Sequence, residues 1–181
     1  PIHYQKNPIY TSKILFQGTL NVLEIAQQNN AKILIASSSE IYGDPKSHPQ
    51  EESYFGNVNN IGIRSCYGEG KRMAESLCYD FQRAGNIKLR IARIFNTYGP
   101  GMLINDGRVI SNFVCQALQK KPLTIYGDGS QTRSFCYISD MVRGLIKLMD
   151  SNYNKPINIG SEIEMKIIDL ARLVKKNTDP N

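Results

Sequence analysis

The sequence predicts an α/β fold with a mostly parallel sheet, because short apolar runs alternate with stretches of helical periodicity and several of those runs end in polar or glycine-rich turns. Residues 12–29 space Ile14, Leu15, Leu20, Leu23, Ile25 and Ala26 near a helical period, and Asn29-Asn30 marks a stop. Lys32-Ile33-Leu34-Ile35-Ala36 then feeds Ser37-Ser38-Ser39, the pattern of a buried parallel strand delivering a polar loop. Ligands of open α/β sheets sit at such strand ends. Residues 44–63, with Pro45, Pro49, Gly56 and several Asn, read as a long loop, and a second amphipathic helix runs from about Ser65 to Ala84. Lys88 to Ile94 forms a strand that ends at Phe95-Asn96-Thr97-Tyr98-Gly99-Pro100, where Gly and Pro force a turn. Beyond it the pattern predicts a helix over 108–120, a strand at Leu123 to Tyr126, a Gly127-Asp128-Gly129 turn and a short strand near 135–138. Ser139 or Asp140 caps a helix to about Met149, Ile157 to Ile159 is one more strand, and Ile167 to Lys175 a closing helix.

Composition narrows the function classes. With 181 residues, 41% hydrophobic and 21% charged, the chain holds one sizeable core and no low-complexity tract. Its longest apolar runs fall far short of the roughly 20 residues a bilayer crossing needs, so no membrane contact is expected of it. The net charge of +6 suits an anionic partner. The basic residues are dispersed, which favours a small phosphorylated ligand over nucleic acid. Cys66, Cys78, Cys115 and Cys136 form no C-x-x-C pair, and His3 and His48 are isolated, so no metal site is expected.

Chemistry shows first at Tyr67 and Lys71, four residues apart and therefore on one face of the second helix. A cation beside a phenol favours the phenolate, which suits a Tyr for taking a proton from a hydroxyl. The spacing alone is weak, since Tyr42 and Lys46 repeat it across Pro45, where no helix is expected. Its context is richer. Ser37-Ser38-Ser39-Glu40-Ile41-Tyr42-Gly43 precedes the Tyr/Lys helix and Arg93-Ile94-Phe95-Asn96-Thr97-Tyr98-Gly99-Pro100 follows it.

These three motifs, in this order, resemble the extended short-chain dehydrogenases that epimerise, dehydrate or decarboxylate nucleotide sugars. The stretches Ser39 to Pro45, Gly56 to Asn59, Arg64-Ser65-Cys66-Tyr67 and Gln131-Thr132-Arg133-Ser134-Phe135-Cys136-Tyr137 are similar to the UDP-glucuronate decarboxylase family among them. Gly68, Ser38 and Gly101 stand where that family usually carries Asp, often Thr, and Arg.

The resemblance implies a partial Rossmann-like, doubly wound parallel sheet with a small C-terminal substrate-binding region. Residues 1–100 would be the C-terminal half of the NAD-binding domain and 101–181 mostly the substrate region, with short returns to the main domain. No Gly-rich pyrophosphate turn is present in the sequence. The likeness therefore implies a chain starting after the first half-sheet and stopping before the family's C-terminal end, which would bind NAD poorly alone.

The resemblance also implies roles. Tyr67 is the base at the sugar C4 hydroxyl, Lys71 holds Tyr67 and the nicotinamide ribose, Ser38 meets the reacting hydroxyl, and Glu40 serves decarboxylation and reprotonation. Ser38 as a turn cap and Glu40 as a solvated carboxylate remain open alternatives. Ala36, Tyr67, Lys71, Thr97 and Arg108 are implied cofactor contacts. Asn21, Asn96, Ser111, Tyr126 and Arg133 are implied substrate contacts, with Arg108 also able to grip diphosphate oxygens. NAD is the implied cofactor and a UDP-sugar the substrate. A homodimer through the helices at 12–29 and 64–84 is implied, in the cytoplasm or, given an anchor, the Golgi lumen. Other 4,6-dehydratases, 4-epimerases or a non-catalytic binding module stay open.

Overall fold

The computed structural model describes residues 2–85, 87–104 and 107–178. In chain order the elements are α1 (Ile2–Lys6), α2 (Pro8–Lys13), a π-helical turn (Ile14–Gly18), α3 (Thr19–Gln28), β1 (Lys32–Ser38) and a 3₁₀ turn (Ser39–Tyr42). There follow α4 (Ser65–Ala84), β2 (Lys88–Ile94), β3 (Thr97–Tyr98) and α5 (Val109–Leu118). The chain continues with β4 (Thr132–Ser134), β5 (Cys136–Tyr137), α6 (Ile138–Asp150), β6 (Pro156–Ile159), β7 (Glu164–Lys166) and α7 (Ile167–Thr178). Two compact units result, one built from His3–Ile94 and Val142–Ile159, the other from Phe95–Met141 and the stretch from Gly160 onward.

The first unit carries a three-stranded parallel sheet in the order β1-β2-β6. Ser38 pairs with Ile94, and Ile94 with Ile159, so the strand ends lie level. The middle strand, β2, is buried from Leu89 through Arg93, as a parallel strand covered on both faces must be. Leu23 of α3 and Cys78 of α4 close over Leu89 and Ile91, with Ile33, Ile35 and Phe81 around them. The buried residues of α4 are Gly68, Gly70, Ala74, Glu75 and Cys78.

In the second unit, β3 pairs with β5 in parallel and β4 with β7 antiparallel. Phe113 of α5 packs against Ile167, Leu170 and Ala171 of α7.

The structure corrects three expectations. The helix expected over 12–29 begins at Pro8, a residue suited to a helix's first turn, and widens into a π turn at Ile14–Gly18. No strand forms at Leu123 to Tyr126. There the Thr124 N–H donates to the Gln116 side chain at 2.9 Å and Gln131 donates to the Tyr126 carbonyl at 2.8 Å, so side chains take the place of a ladder. Leu123 and Ile125 still pack on the Phe113 cluster. The single short strand expected near 135–138 is instead β4 and β5 on either side of Phe135, with β7 as an additional partner.

Burial of charge is the most demanding feature of the first unit. Arg93 and Glu75 keep side-chain exposures of only 10% and 9%. Their pairing is bidentate, with Arg93 Nε to Glu75 Oε1 at 3.1 Å and Nη2 to Oε2 at 2.8 Å. Ser37 Oγ also donates to Glu75. Arg93 Nη1 reaches the Tyr42 hydroxyl and the Glu52 carbonyl, each at 2.9 Å, and the Tyr42 hydroxyl donates to Asn158 Oδ1 at 2.7 Å. Strand ends of β1, β2 and β6 are thereby tied to α4.

Removing one partner leaves an uncompensated buried charge. Glu75→Ala is expected to lower stability in urea unfolding by about 3–5 kcal/mol. A loss below about 1 kcal/mol, the range of an exposed pair, would contradict the account.

Candidate active site

The loop after the 3₁₀ turn hands over to α4 at Arg64, and the helix then places Tyr67 and Lys71 one turn apart on the side that meets β1. Lys71 Nζ donates to the Ala36 carbonyl at 2.7 Å and lies 5.8 Å from the centroid of the Tyr67 ring. Burial pushes the Lys71 ammonium below the ordinary lysine range. One of its three N–H donors is taken by the strand, and the ammonium remains beside the phenol. The Tyr67 ring stacks on Tyr4 at 5.1 Å with 17° between planes.

Opposite this helix, β1 ends in the 3₁₀ turn that carries Glu40. Ser38 Oγ accepts from the Glu40 N–H at 3.2 Å, so Ser38 does cap the turn, and as a hydroxyl it keeps a proton to donate. Glu40 is not a lone solvated carboxylate: Arg64 Nη2 donates to its Oε1 at 3.2 Å, and Arg64 Nε donates to the Tyr4 hydroxyl at 2.8 Å. Tyr4, Arg64 and Glu40 thus form a chain alongside Tyr67. A cavity of about 410 Å³ opens next to it, lined by Glu40, Asn57, Asn59, Arg64 and Gly68 among others.

The turn is shaped by one glycine. Gly43 has φ +67°, and a Cβ there would stand 2.2 Å from the Asn57 carbonyl oxygen, so the chain reverses against residues 57–58 only without a side chain.

Ser38, Glu40, Tyr67, Lys71 and Ala36 are therefore brought together within one unit. Asn21, in the same unit, is exposed on α3 and its amide oxygen accepts from Gln17 at 2.7 Å. In the other unit the Asn96 side chain donates to the Ser134 carbonyl at 3.3 Å, Thr97 Oγ1 to the Phe95 carbonyl at 3.0 Å and Ser111 Oγ to the Arg108 carbonyl at 2.9 Å. Arg133, on β4, and Arg108, ahead of α5, carry guanidinium groups on that unit. Tyr126 is 75% exposed and lies in an irregular segment, not at the strand end expected of it.

Sequence reasoning passed over Arg64, Tyr4, Glu75 and Arg72. Arg64 stands three residues before Tyr67 and Glu75 four after Lys71, so helical spacing from the Tyr/Lys pair would have found both. Cys78, pushed up to about 12 by burial, is a packed thiol of the core.

A phenol beside an ammonium, a hydroxyl and a paired carboxylate near the end of a parallel strand are groups suited to proton transfer. The chain is 57% identical over 181 residues to UDP-glucuronic acid decarboxylase 3 of Arabidopsis thaliana, covering 100% of this chain and 53% of that protein. Among solved structures, UDP-glucuronic acid 4-epimerase from Bacillus cereus in complex with UDP-glucuronic acid and NAD superposes with a TM-score of 0.78 at 31% identity, covering 90% of this chain and 50% of that one. UDP-glucose 4-epimerase of Thermotoga maritima with UDP-glucose gives 0.88 at 26% identity, over 98% and 57% of the two chains. The chain spans about half the length of the curated relatives it matches, from 41% to 53%. The family match over residues 2–160 runs through β1, its turn, α4 and β2 in the arrangement that assembles Tyr67 and Lys71, and the chain belongs to the NAD dependent epimerase/dehydratase family.

Proposed function

We propose that the full-length protein decarboxylates UDP-glucuronate to UDP-xylose, using NAD. The observation that carries this reading is the pairing of Tyr67 with Lys71, anchored on Ala36 at 2.7 Å, across from the turn that bears Glu40. The identity to UDP-glucuronic acid decarboxylases supports the choice of substrate within the family.

Ala36, Tyr67 and Lys71 fit the nicotinamide end of the cofactor, because they gather at the carboxyl end of β1, where a ribose hydroxyl can meet the Lys71 ammonium. NAD, when bound, supplies the reversible oxidation at the sugar C4. Tyr67 takes the C4 hydroxyl proton as the C4 carbonyl forms, and Ser38 donates a hydrogen bond that aligns that oxygen. The new carbonyl is β to the C5 carboxylate, so the C5–carboxylate bond breaks, carbon dioxide leaves and its electron pair moves into an enolate. Glu40 serves the protonation of C5, relaying one proton taken up from solvent for each carbon dioxide released. Tyr67 then returns its proton as C4 is reduced again, which leaves the cofactor unchanged over the cycle.

The test is turnover of UDP-glucuronate by the full-length protein, following carbon dioxide and UDP-pentose. Wild type is expected to make UDP-xylose, and Tyr67→Phe to lose about 100- to 10,000-fold in rate. Conversion of UDP-glucose or dTDP-glucose with none of UDP-glucuronate would keep the family and overturn the substrate.

We also propose a homodimer through α2, α3 and α4. Ile9, Tyr10, Ile14, Phe16, Val22 and Ile25 are exposed on the helical stretch before β1, and Met73 is exposed on α4, an apolar surface that association would cover. Light scattering of the full-length protein is expected to give a dimer that Ile9→Glu weakens. A wild-type monomer would contradict this. A cytoplasmic location, or the Golgi lumen if the full-length protein carries an anchor, is likewise our reading from the family resemblance. No helix among the described residues is long and apolar enough to cross a membrane.

A further inference from the structure

We propose that the cavity beside Glu40 is the entry route for the solvent proton consumed in the decarboxylation, and that Gly68, by having no side chain, keeps that route open. The proposal rests on the reading above and deepens it.

The reaction takes up a proton that none of its internal exchanges supplies. Loss of carbon dioxide breaks the C5–carboxylate bond and leaves the electron pair in an enolate, and forming the C5–H bond from that pair needs one proton. Tyr67 takes a proton and returns it, and the hydride leaves C4 and comes back, so neither closes the balance. The proton therefore comes from solvent by way of Glu40. A carboxylate that hands its proton to C5 has to be reloaded from a side the sugar does not occupy.

Glu40 has both a free oxygen and a second approach. Arg64 Nη2 holds its Oε1 at 3.2 Å, and among the described residues no donor meets Oε2, which leaves that oxygen able to carry a proton. The cavity of about 410 Å³ touches Glu40 but is lined by neither Ser38 nor Tyr67, the two groups assigned to the sugar C4 oxygen. Its walls carry Asp44, Asn57 and Asn59. A space of that size with several polar groups on its walls admits water, and a water chain can carry a proton to a side chain. Ile63 on the same wall is 83% exposed and the Arg64 side chain 52%, so the cavity reaches bulk solvent.

Gly68 sets the width of this space beside the turn. It is buried early in α4, yet a Cβ there would meet only the Glu40 carbonyl oxygen, at 3.5 Å, an ordinary contact. Backbone crowding therefore does not demand glycine, and helix propensity favours almost any other residue. What a longer side chain would take is the room against Glu40. Gly68 also stands where the resembling family usually carries Asp, so this chain has no carboxylate of its own at that position to pass a proton, and water does so. The consequence is a split between steps. Oxidation at C4 and cleavage of the C5–carboxylate bond need no solvent proton, whereas protonation of C5 does. With the cavity plugged, the enolate leaves the site, is protonated in solution to a UDP-4-keto-pentose, and the nicotinamide stays reduced.

The experiment compares wild type, Gly68→Leu and Ser65→Leu in the full-length protein with UDP-glucuronate. Leucine favours a helix over glycine, so Gly68→Leu fills the cavity without weakening α4. Ser65 lines the same cavity one turn earlier, and its variant plugs the space without altering the residue that follows Tyr67. Single-turnover absorbance of reduced nicotinamide reports the oxidation, carbon dioxide release the cleavage, and the ratio of UDP-xylose to UDP-4-keto-pentose the protonation, each in water and in deuterium oxide. Both variants are expected to keep oxidation and carbon dioxide release within about twofold of wild type and to form UDP-xylose about tenfold more slowly as the keto sugar accumulates. Their solvent isotope effect on UDP-xylose formation is expected to be about twofold larger than that of wild type. Either variant carries the comparison where the other does not fold. Equal slowing of all steps, or an unchanged product ratio, would overturn the route while leaving the decarboxylase reading in place. A wild type that releases no carbon dioxide would overturn that reading, and with it the reaction the route serves.

Discussion

The buried pair of Glu75 and Arg93 is the constraint on which the first unit depends. Taking a carboxylate and a guanidinium out of water costs several kcal/mol per ion, and that cost is offset only when the pair is well aligned and its remaining donors and acceptors are filled. Here Ser37, the Tyr42 hydroxyl and the Glu52 carbonyl fill them, and Asn158 extends the chain to β6. A displacement of α4, β1, β2 or the loop at Glu52 would leave a charge short of partners. The fold therefore has one arrangement in which all of these elements are satisfied together, and that arrangement sets where the strand ends stand.

From this anchor, α4 acts as a bar along which successive side chains reach β1 and its turn. Arg64 meets Glu40, Lys71 meets Ala36, Arg72 meets Ile41, and Glu75 meets Ser37. Tyr67 stands between the first two contacts, so its ring is delivered beside an ammonium by the same bonds that fix the helix. Close approach on the helix's other side needs Gly70, where a Cβ would lie 2.5 Å from Leu15 Cδ1 of the π turn. A mid-helix glycine gives up about 1 kcal/mol against alanine. Room for Leu15 is what it provides in return.

Much of the fold was legible because the relevant signals are local. The apolar run at Lys88 to Ile94 and the amphipathic stretch at Ser65 to Ala84 have the bounds the sequence predicts, since each period is carried by consecutive residues. The segment at Leu123 to Tyr126 has strand-like residues but no strand, because Gln116 and Gln131 satisfy its backbone from outside. Nothing local announces that competition. The same holds at the site: the Tyr67 and Lys71 spacing is visible in one dimension, and the roles proposed for the site residues came from the family resemblance that motif order carries. The partners that fix these residues are long-range, as with Arg64 and Glu40, 24 positions apart, or Glu75 and Ser37, 38 apart. A charge destined for burial looks in sequence like any solvated one.

The claim that this geometry serves an internal oxidation and re-reduction around a loss of carbon dioxide is tested most directly by running the full-length enzyme on UDP-glucuronate in deuterium oxide and locating the label in the product. The account predicts UDP-xylose with solvent deuterium at C5, where carbon dioxide departed, and with the original hydrogen retained at C4. Solvent deuterium at C4, or a product that keeps its carboxylate, would contradict it.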